Sequence, residues 1–499
     1  MGNISTKEEV KCTGCGLCAE ICPSKCITMK ENKEGFLFPN VDNNKCVDCG
    51  KCVDICEEKL YEHAYQMEAF AAWTLNDEIR RVSSSGGIFY ELAKSFIERG
   101  GVVYGAAFDK EYAVKHIRVK NIEELPLIMG SKYLQSDISE CLSVVVADLQ
   151  NGIDVLFSGT PCQVNSVKKL VCDCSGKLFC VSIICHGVPS PMVWKKYLKL
   201  KRGQYAEEGL KSISFRDKEL GWKAFSMKIM FENNAYIENH LYDLYMQGFL
   251  ENLYLRKSCY QCEFKGENNL ADIILGDYWG IENVMPDIDA GKGASCVIIK
   301  SEYGRKLWNR ITDNICCYET EYKDVLKYNS VLESSVKKNK HRDRFFEQLL
   351  ATGIVEDAIK NCTGIGKITN EVRRDYYYPI IYKYLENKIN GVEISDRIKK
   401  RKIKKIILYG VTDILQIVIK DLNECEGIDI AIADRNWEFY KESYPEFEVI
   451  SKERIPTLIE QDKADAVIIC NLLREKQIME ELFECGVPDS RVISIASFI

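Results

Sequence analysis

The strongest constraint on this chain is a cysteine pattern written twice. Lys11 to Pro23 reads KCTGCGLCAEICP, which sets Cys12, Cys15, Cys18 and Cys22 at C-x2-C-x2-C-x3-C-P spacing. KCVDCGKCVDICE repeats that spacing with Cys46, Cys49, Cys52 and Cys56, although Glu57 rather than proline follows the last cysteine. A C-x2-C-x2-C loop wraps three thiolates around one face of a 4Fe-4S cube, and the fourth must come from elsewhere. Where two such runs are paired, the distal cysteine of each serves the other cluster. This assigns Cys12, Cys15, Cys18 and Cys56 to one cluster and Cys46, Cys49, Cys52 and Cys22 to the second. The repetition favours clusters over zinc. Cys26 falls outside the spacing, in a segment with strand character, and reads as a small buried side chain rather than a ligand.

A two-cluster module fills a small part of a 499-residue chain, and the length suits about three domains. Hydrophobic residues make up 46% and charged residues 28%, which is ordinary for a globular protein. A net charge of -7 supplies no basic excess for nucleic acid. No apolar run reaches membrane-spanning length. The first residues run into KEEVKCTGC without a signal-peptide core. Most of the 24 cysteines sit in clustered spacings, so metal ligation in a reducing, cytoplasmic compartment is expected rather than disulfides.

Beyond the cysteine runs the chain alternates between strand and helix patterns. SSSGG precedes IFYELAKSFIERGG, whose apolar residues recur at helical spacing until Gly100 and Gly101. VVYGAAF, GIDVLFSG, KLFCVSIICHG and ADIILGD read as strands. TPCQVNSVKKLV reads as a helix with Thr160 as N-cap and Pro161 in its first turn. Residues 318–399 read as a mostly helical extension, and RIKKRKIKK (Arg397 to Lys405) as a solvated linker. KKIILYG, IDIAIADR, ADAVIIC and RVISI are strands of a small Rossmann-like doubly wound domain over 400–499. The expected fold is α+β and α/β multidomain. A ferredoxin-like two-cluster module (1–70) leads a mixed α/β core in two parts (71–165 and 166–317), then the extension and the C-terminal domain.

SSSGG at a helix start can seat an anion, because small residues admit a phosphate and the helix end supplies N–H groups; an ordinary N-cap explains it equally well. GSKYLQS (Gly130 to Ser136) offers a cation, an aromatic face and hydroxyls, or is a surface turn. Cys162 opens a helix, a position that lowers a thiol pKa. Cys185 ends a buried strand, where a sheet presents it to a crevice. Cys259 and Cys262 form a third C-x2-C pair. By spacing alone these four are a third cluster, a zinc site, a redox pair or buried structural cysteines.

RRVSSSGGIF, GVVYGAAF, GSKYLQSDI, LFSGTPCQV, IICHGVPSP, FRDKELGW, CYQCEF and ADIILGDYWGI follow one another from Arg80 to Ile281, within a resemblance that covers about residues 10–310. In that order they resemble the beta-subunit family of coenzyme F420 hydrogenases and dehydrogenases, a family that includes flavin and iron–sulfur reductases joined to an N-terminal ferredoxin module. The resemblance implies an oxidoreductase with FAD beside a third 4Fe-4S cluster on Cys162, Cys185, Cys259 and Cys262. It implies flavin contacts from Ser84, Ser85, Gly86, Gly87, Ser131, Lys132, Tyr133, Gln135, Ser136, Thr160, Gln163 and Asp277, with Trp279 as a flavin wall or a plain core residue. Lys132 and His186 become candidate proton donors or charge stabilisers. The implied electron route joins the two ferredoxin-type clusters, the third cluster, FAD and an organic substrate. The implied partners are an electron-donor or electron-acceptor protein such as ferredoxin, and a small molecule whose identity does not carry over. The alternative is an electron-transfer subunit that supplies a separate catalytic protein. The C-terminal domain lies outside the resemblance. There Gly410 alone remains of a G-x-G-x-x-G pattern, and Asp434 sits where a ribose-binding acid would be.

Overall fold

The computed structural model describes residues 2–499 except 59, 61–64, 172–173, 206–208, 220, 224, 289–290, 364–369, 424–426, 436, 442 and 473–474. The chain divides into two compact units, Met1–Gly366 and Lys367–Ile499. The expected mixed α/β, multi-sheet architecture is what the protein adopts.

Both cysteine runs fold the same way locally. Gly16 and Gly50 take left-handed backbone angles (φ 76° and 77°) and open the short helices Leu17–Glu20 and Lys51–Glu57. A hairpin between them pairs Ile27–Glu31 with Leu37–Val41. Its turn places Glu34 in the interior, where two hydrogen bonds of 3.1 and 2.7 Å tie it to the fully buried Arg342.

The rest of the first unit is built on an eight-stranded sheet. Its order runs Ile315–Thr320, Glu68–Thr74, Ser295–Ile299, Ile273–Asp277, Leu178–Ile183, Val155–Gly159, Val102–Phe108, Val114–Val119. The four strands from Ile273–Asp277 to Val102–Phe108 are mutually parallel, and the flanking pairs are antiparallel. Parallel strands are buried on both faces, so they read as nearly continuous apolar runs, as in VLF and LFCV. One face is covered by Phe96, Leu92 and Trp308, the other by Leu142, Val145 and Val164. A smaller antiparallel sheet (Leu210–Asp217, Ser226–Phe231, Ala235–Asn239) packs its apolar side against Trp194, Tyr197 and Tyr245.

The second unit carries a five-stranded, all-parallel sheet. Its order is Glu448–Ile450, Asp429–Ala433, Lys405–Tyr409, Ala466–Ile469, Val492–Ser494. This is the doubly wound pattern expected for the last hundred residues. The basic run Arg397–Lys405 differs from its reading as a solvated connector. It spans the end of the helix Ile394–Lys400, whose Ile398 is fully buried, and Arg397 bonds the carbonyl of Ile499 at 2.7 Å. The run counts many charges, yet its isoleucines fall on the inward face. Asp434 accepts the N–H of Val411 at 2.9 Å, so its carboxylate orders the first strand-to-helix turn. Among the described residues no helix is long and apolar enough to cross a membrane.

Candidate functional site

A cavity of about 620 Å³ opens beyond the carboxyl ends of the parallel strands. Such a crevice is where open α/β sheets bind ligands, because loops diverge there and helix N-termini converge. Its walls include Ser84, Ser85, Gly87, Ser131, Lys132, Tyr133, Ser136, Thr160, Gln163, Asp277 and Trp279. Residues read from four separate stretches of sequence therefore share one space.

Each wall has a local cause. Gly86 lies flat on the sheet: its N–H meets Ser295 Oγ at 3.0 Å, and a Cβ would stand 2.4 Å from the Ala72 carbonyl. Gly87 takes a φ of 85° and starts the helix Ile88–Ile97. Ser84 Oγ accepts the Ser131 N–H at 2.7 Å, which joins SSSGG to GSKYLQS. Thr160 and Gln163 form a reciprocal capping box at the start of the helix Pro161–Leu170, and Gln163 also donates to the Ser136 carbonyl at 3.1 Å.

Gln135 departs from the expected arrangement. Its side chain turns away from the cavity toward the ferredoxin-type module, donating to the Thr13 carbonyl at 3.0 Å and accepting from Arg256 at 3.0 Å. Trp279 lies on the cavity wall and stacks on Trp222, with centroids 5.1 Å apart and ring planes 7° apart.

Charge in the cavity is arranged by burial. Lys132 donates to the Met129 carbonyl at 2.8 Å, and desolvation pulls its ammonium down to about 7. His186 is lowered by burial, and its Nε2 meets Asn252 Oδ1 at 2.6 Å. Three further wall residues carry no signal that spacing could reveal. Arg216, from FRDKELGW, lies 6% exposed and grips Asp277 at 2.8 and 3.0 Å. His240 stacks on Phe225 at 3.9 Å. His116 is held near 4 by burial; its Nε2 faces the Ser158 carbonyl at 2.8 Å, which can only accept. The proton therefore sits on Nε2, and Nδ1 accepts from the Ser136 hydroxyl at 2.7 Å.

The twelve cysteines fall into three neighbourhoods. Cys18 is pushed up by burial and then by Cys15, Cys12 and Cys56. Cys22 lies with Cys46, Cys49 and Cys52 around a small second cavity. Cys26 is buried, as its position suggested, but its sulfur stands 3.4 Å from that of Cys22 and lines the same space. Cys162 is pushed well above its ordinary range, first by burial and then by Cys262, Cys185 and Cys259 among its neighbours. The helix start was expected to lower this thiol; desolvation outweighs the helix dipole. Cys185 and Cys259 rise to about 12 and about 11, again mainly through burial. Cys185 also lines the large cavity.

Among the described residues no three His, Cys, Asp or Glu side chains converge on a single metal ion. A cube differs, because each thiolate binds a separate iron at its own corner. Buried thiols that would repel one another as thiolates are a donor set that a cationic iron–sulfur core stabilises, since coordination deprotonates them outright. The cysteines present therefore fit such clusters.

Paired cysteine runs of this spacing, on a mixed α/β scaffold, define an iron–sulfur protein of the electron-transfer oxidoreductase class. Residues 11–60 match the 4Fe-4S dicluster domain, and residues 153–325 match the family described as the C terminus of the coenzyme F420 hydrogenase/dehydrogenase beta subunit. The resemblance read from the motifs is thus borne out over these two stretches, one matching a 4Fe-4S dicluster domain and the other the C-terminal domain of that beta-subunit family. No curated protein matches the chain. A chain of the F420-reducing [NiFe] hydrogenase complex from Methanosarcina barkeri, solved as a xenon derivative, is similar over 61% of this chain and 93% of its own, at 19% identity and a TM-score of 0.36.

Proposed function

We propose that this protein is an iron–sulfur flavoprotein oxidoreductase that acts on a small organic substrate. In this reading FAD occupies the large cavity and a third 4Fe-4S cluster is held by Cys162, Cys185, Cys259 and Cys262. The observation that carries it is that Cys185 belongs both to the cavity wall and to the third set of thiols. The cavity also fits in chemistry: it has the helix start opened by Gly87, hydroxyls at Ser84, Ser131 and Thr160, the cation Arg216 and the titratable amine of Lys132. When bound, flavin exchanges electrons singly with clusters and in pairs with an organic molecule.

The chain's own residues prepare the space for that chemistry. Arg216 stays charged because Asp277 holds it, and Trp222 Nε1 fixes Asp277 by a further bond of 2.9 Å. Lys132 Nζ, poised near neutrality, can hold or release a proton at the cavity wall. Asn252 Oδ1 orients the His186 ring through Nε2, and burial favours its neutral form. Trp279 and Phe249 give the wall apolar faces. The domain plan follows the same reading: a two-cluster module, a two-part core around the cavity, and a Rossmann-like C-terminal domain. An electron-carrying protein such as ferredoxin is the proposed partner.

The test is anaerobic iron and flavin analysis of the full chain. The expected result is about 12 irons, four per cluster, with one FAD. About 8 irons with flavin bound would overturn the third cluster, and a fully iron-loaded chain that takes up no flavin would overturn the flavoprotein reading.

A further inference from the structure

The two cysteine runs have the same spacing but opposite surroundings. The first run packs into the core. Gly14 and Gly16 are both buried, and a Cβ on Gly14 would lie 2.7 Å from Arg256 Nη1, while one on Gly16 would lie 2.6 Å from Ser139 Oγ. The position equivalent to Gly14 in the second run is Asp48. It takes a similar left-handed angle (φ 49°) but carries a full side chain at the surface, where Asn3 Nδ2 stands 3.5 Å from its carboxylate and 3.6 Å from the Cys46 sulfur; Val47, Asp48 and Cys49 are all exposed.

The contrast extends to charge at the first cysteine of each run. Arg256, 1% exposed, stands 3.6 Å from the Cys12 sulfur and bonds the Cys12 carbonyl at 2.8 Å. Its other partners are the uncharged Gln135 amide and the Leu37 carbonyl, while Glu9 and Glu34 pair with Lys257 and Arg342. At the second run, the Asp48 carboxylate stands 3.7 Å from the Cys46 sulfur. The far end of the first set is gripped as well: Lys169, on the helix that begins beside Cys162, donates to the carbonyls of Ile55 and Cys56 at 3.0 and 3.2 Å.

Local charge, hydrogen bonds to sulfur and solvent exposure set the potential of an iron–sulfur cluster. A buried cation favours the reduced form, which carries the extra negative charge; an anion disfavours it.

From this we infer that the two ferredoxin-type sites are ordered and inequivalent. The Cys12, Cys15, Cys18, Cys56 site is the inner, higher-potential one, raised by Arg256. The Cys46, Cys49, Cys52, Cys22 site, edged by the exposed Val47–Cys49 loop, is the outer, lower-potential one, depressed by Asp48 against the opposite pull of water at that edge, which favours the reduced form. An electron shared between them rests on the inner site, next to the core. This order rests on the crossed assignment of cysteines to two clusters and adds to it a place and a sign for each site.

The test is an electron paramagnetic resonance redox titration of the anaerobically reconstituted full chain. Arg256→Gln is expected to lower the midpoint of one ferredoxin-type signal and leave the other in place. Asp48→Asn, an exposed change, is expected to raise the midpoint of the other signal, which in the unmodified chain is the lower of the two. A water-soluble dysprosium chelate added to the unmodified chain should relax that same lower-potential signal preferentially. If Arg256→Gln does not fold, the Asp48→Asn shift and the chelate effect must still mark one and the same low-potential site. The proposal is overturned if the two variants move the same signal, if Asp48→Asn marks the higher-potential site, or if the chelate acts on both signals equally. A chain that loads only one ferredoxin-type cluster overturns the cluster assignment itself, and iron content distinguishes that failure from a wrong order.

Discussion

A few side chains in this protein have properties that their environment alone confers. Lys132 is the clearest, because its folded value of about 7 lies far below the ordinary lysine range. The unfolded chain therefore binds an extra proton between about pH 7 and pH 10, and stability rises with pH across that window. Below it, the cost of holding a desolvated ammonium is fully present. Lys132→Gln is expected to raise stability by roughly 1–3 kcal/mol at pH 6 and to lose the advantage by pH 10. Denaturant unfolding of both proteins at several pH values checks this; a difference independent of pH would show that Lys132 titrates normally. The Arg342–Glu34 pair is the opposite case, a buried ion pair satisfied on both sides. Removing one partner strands the other charge in the interior, so Arg342→Met is expected to cost about 3–5 kcal/mol. Thermal unfolding measures the loss, and Glu34→Gln should recover part of it in the double variant.

At the scale of elements, the cavity depends on how closely SSSGG lies on the sheet. Gly86 has no room for a methyl group, since the obstructing atoms are the Ala72 carbonyl at 2.4 Å and the Ser295 N–H at 2.8 Å, both backbone. Gly86→Ala must lift the loop off the strand Glu68–Thr74 and displace the Ser84–Ser131 contact. The expected cost is about 1–3 kcal/mol, together with weaker flavin retention. Gel filtration with absorbance at flavin wavelengths gives the retention, and a variant that keeps both stability and flavin would place the ligand elsewhere.

For the whole molecule, the division after Gly366 has a consequence for truncation. Every residue assigned to the clusters or the cavity lies in the first unit, as does Arg342, which holds the cysteine module to the core. A chain ending at residue 366 is expected to keep its full iron and flavin content. Iron analysis and flavin release after acid treatment test this directly. Loss of flavin on truncation would assign part of the binding site to the second unit. A cut near Arg397, which the charge pattern alone suggests, is expected to do worse, because it leaves exposed the face of the helix Asn370–Ile389 that includes Ile380 and Tyr384.

The sequence by itself determined whatever depends on neighbours along the chain. Three cysteines within seven residues are spaced for one face of a cluster whatever surrounds them, so the two runs were legible as the 4Fe-4S dicluster domain that residues 11–60 match. So were the apolar parallel strands, the Thr160 cap and the doubly wound pattern of the last hundred residues, because backbone periodicity is local. Tertiary structure alone decided what depends on closure over long separations and on loss of water. Arg256 reaches Cys12 across 244 residues, Arg216 finds Asp277 across 61, and Gln135 faces the cysteine module instead of the cavity. The Cys162 thiol rises although a helix start should lower it, and RIKKRKIKK buries Ile398 and half-buries Ile403 although its charges suggest a linker. Loss of water decides the Cys162 thiol, and partners closed across long separations decide Arg256, Arg216 and Gln135; both are properties of the packed molecule that no residue carries in its own name.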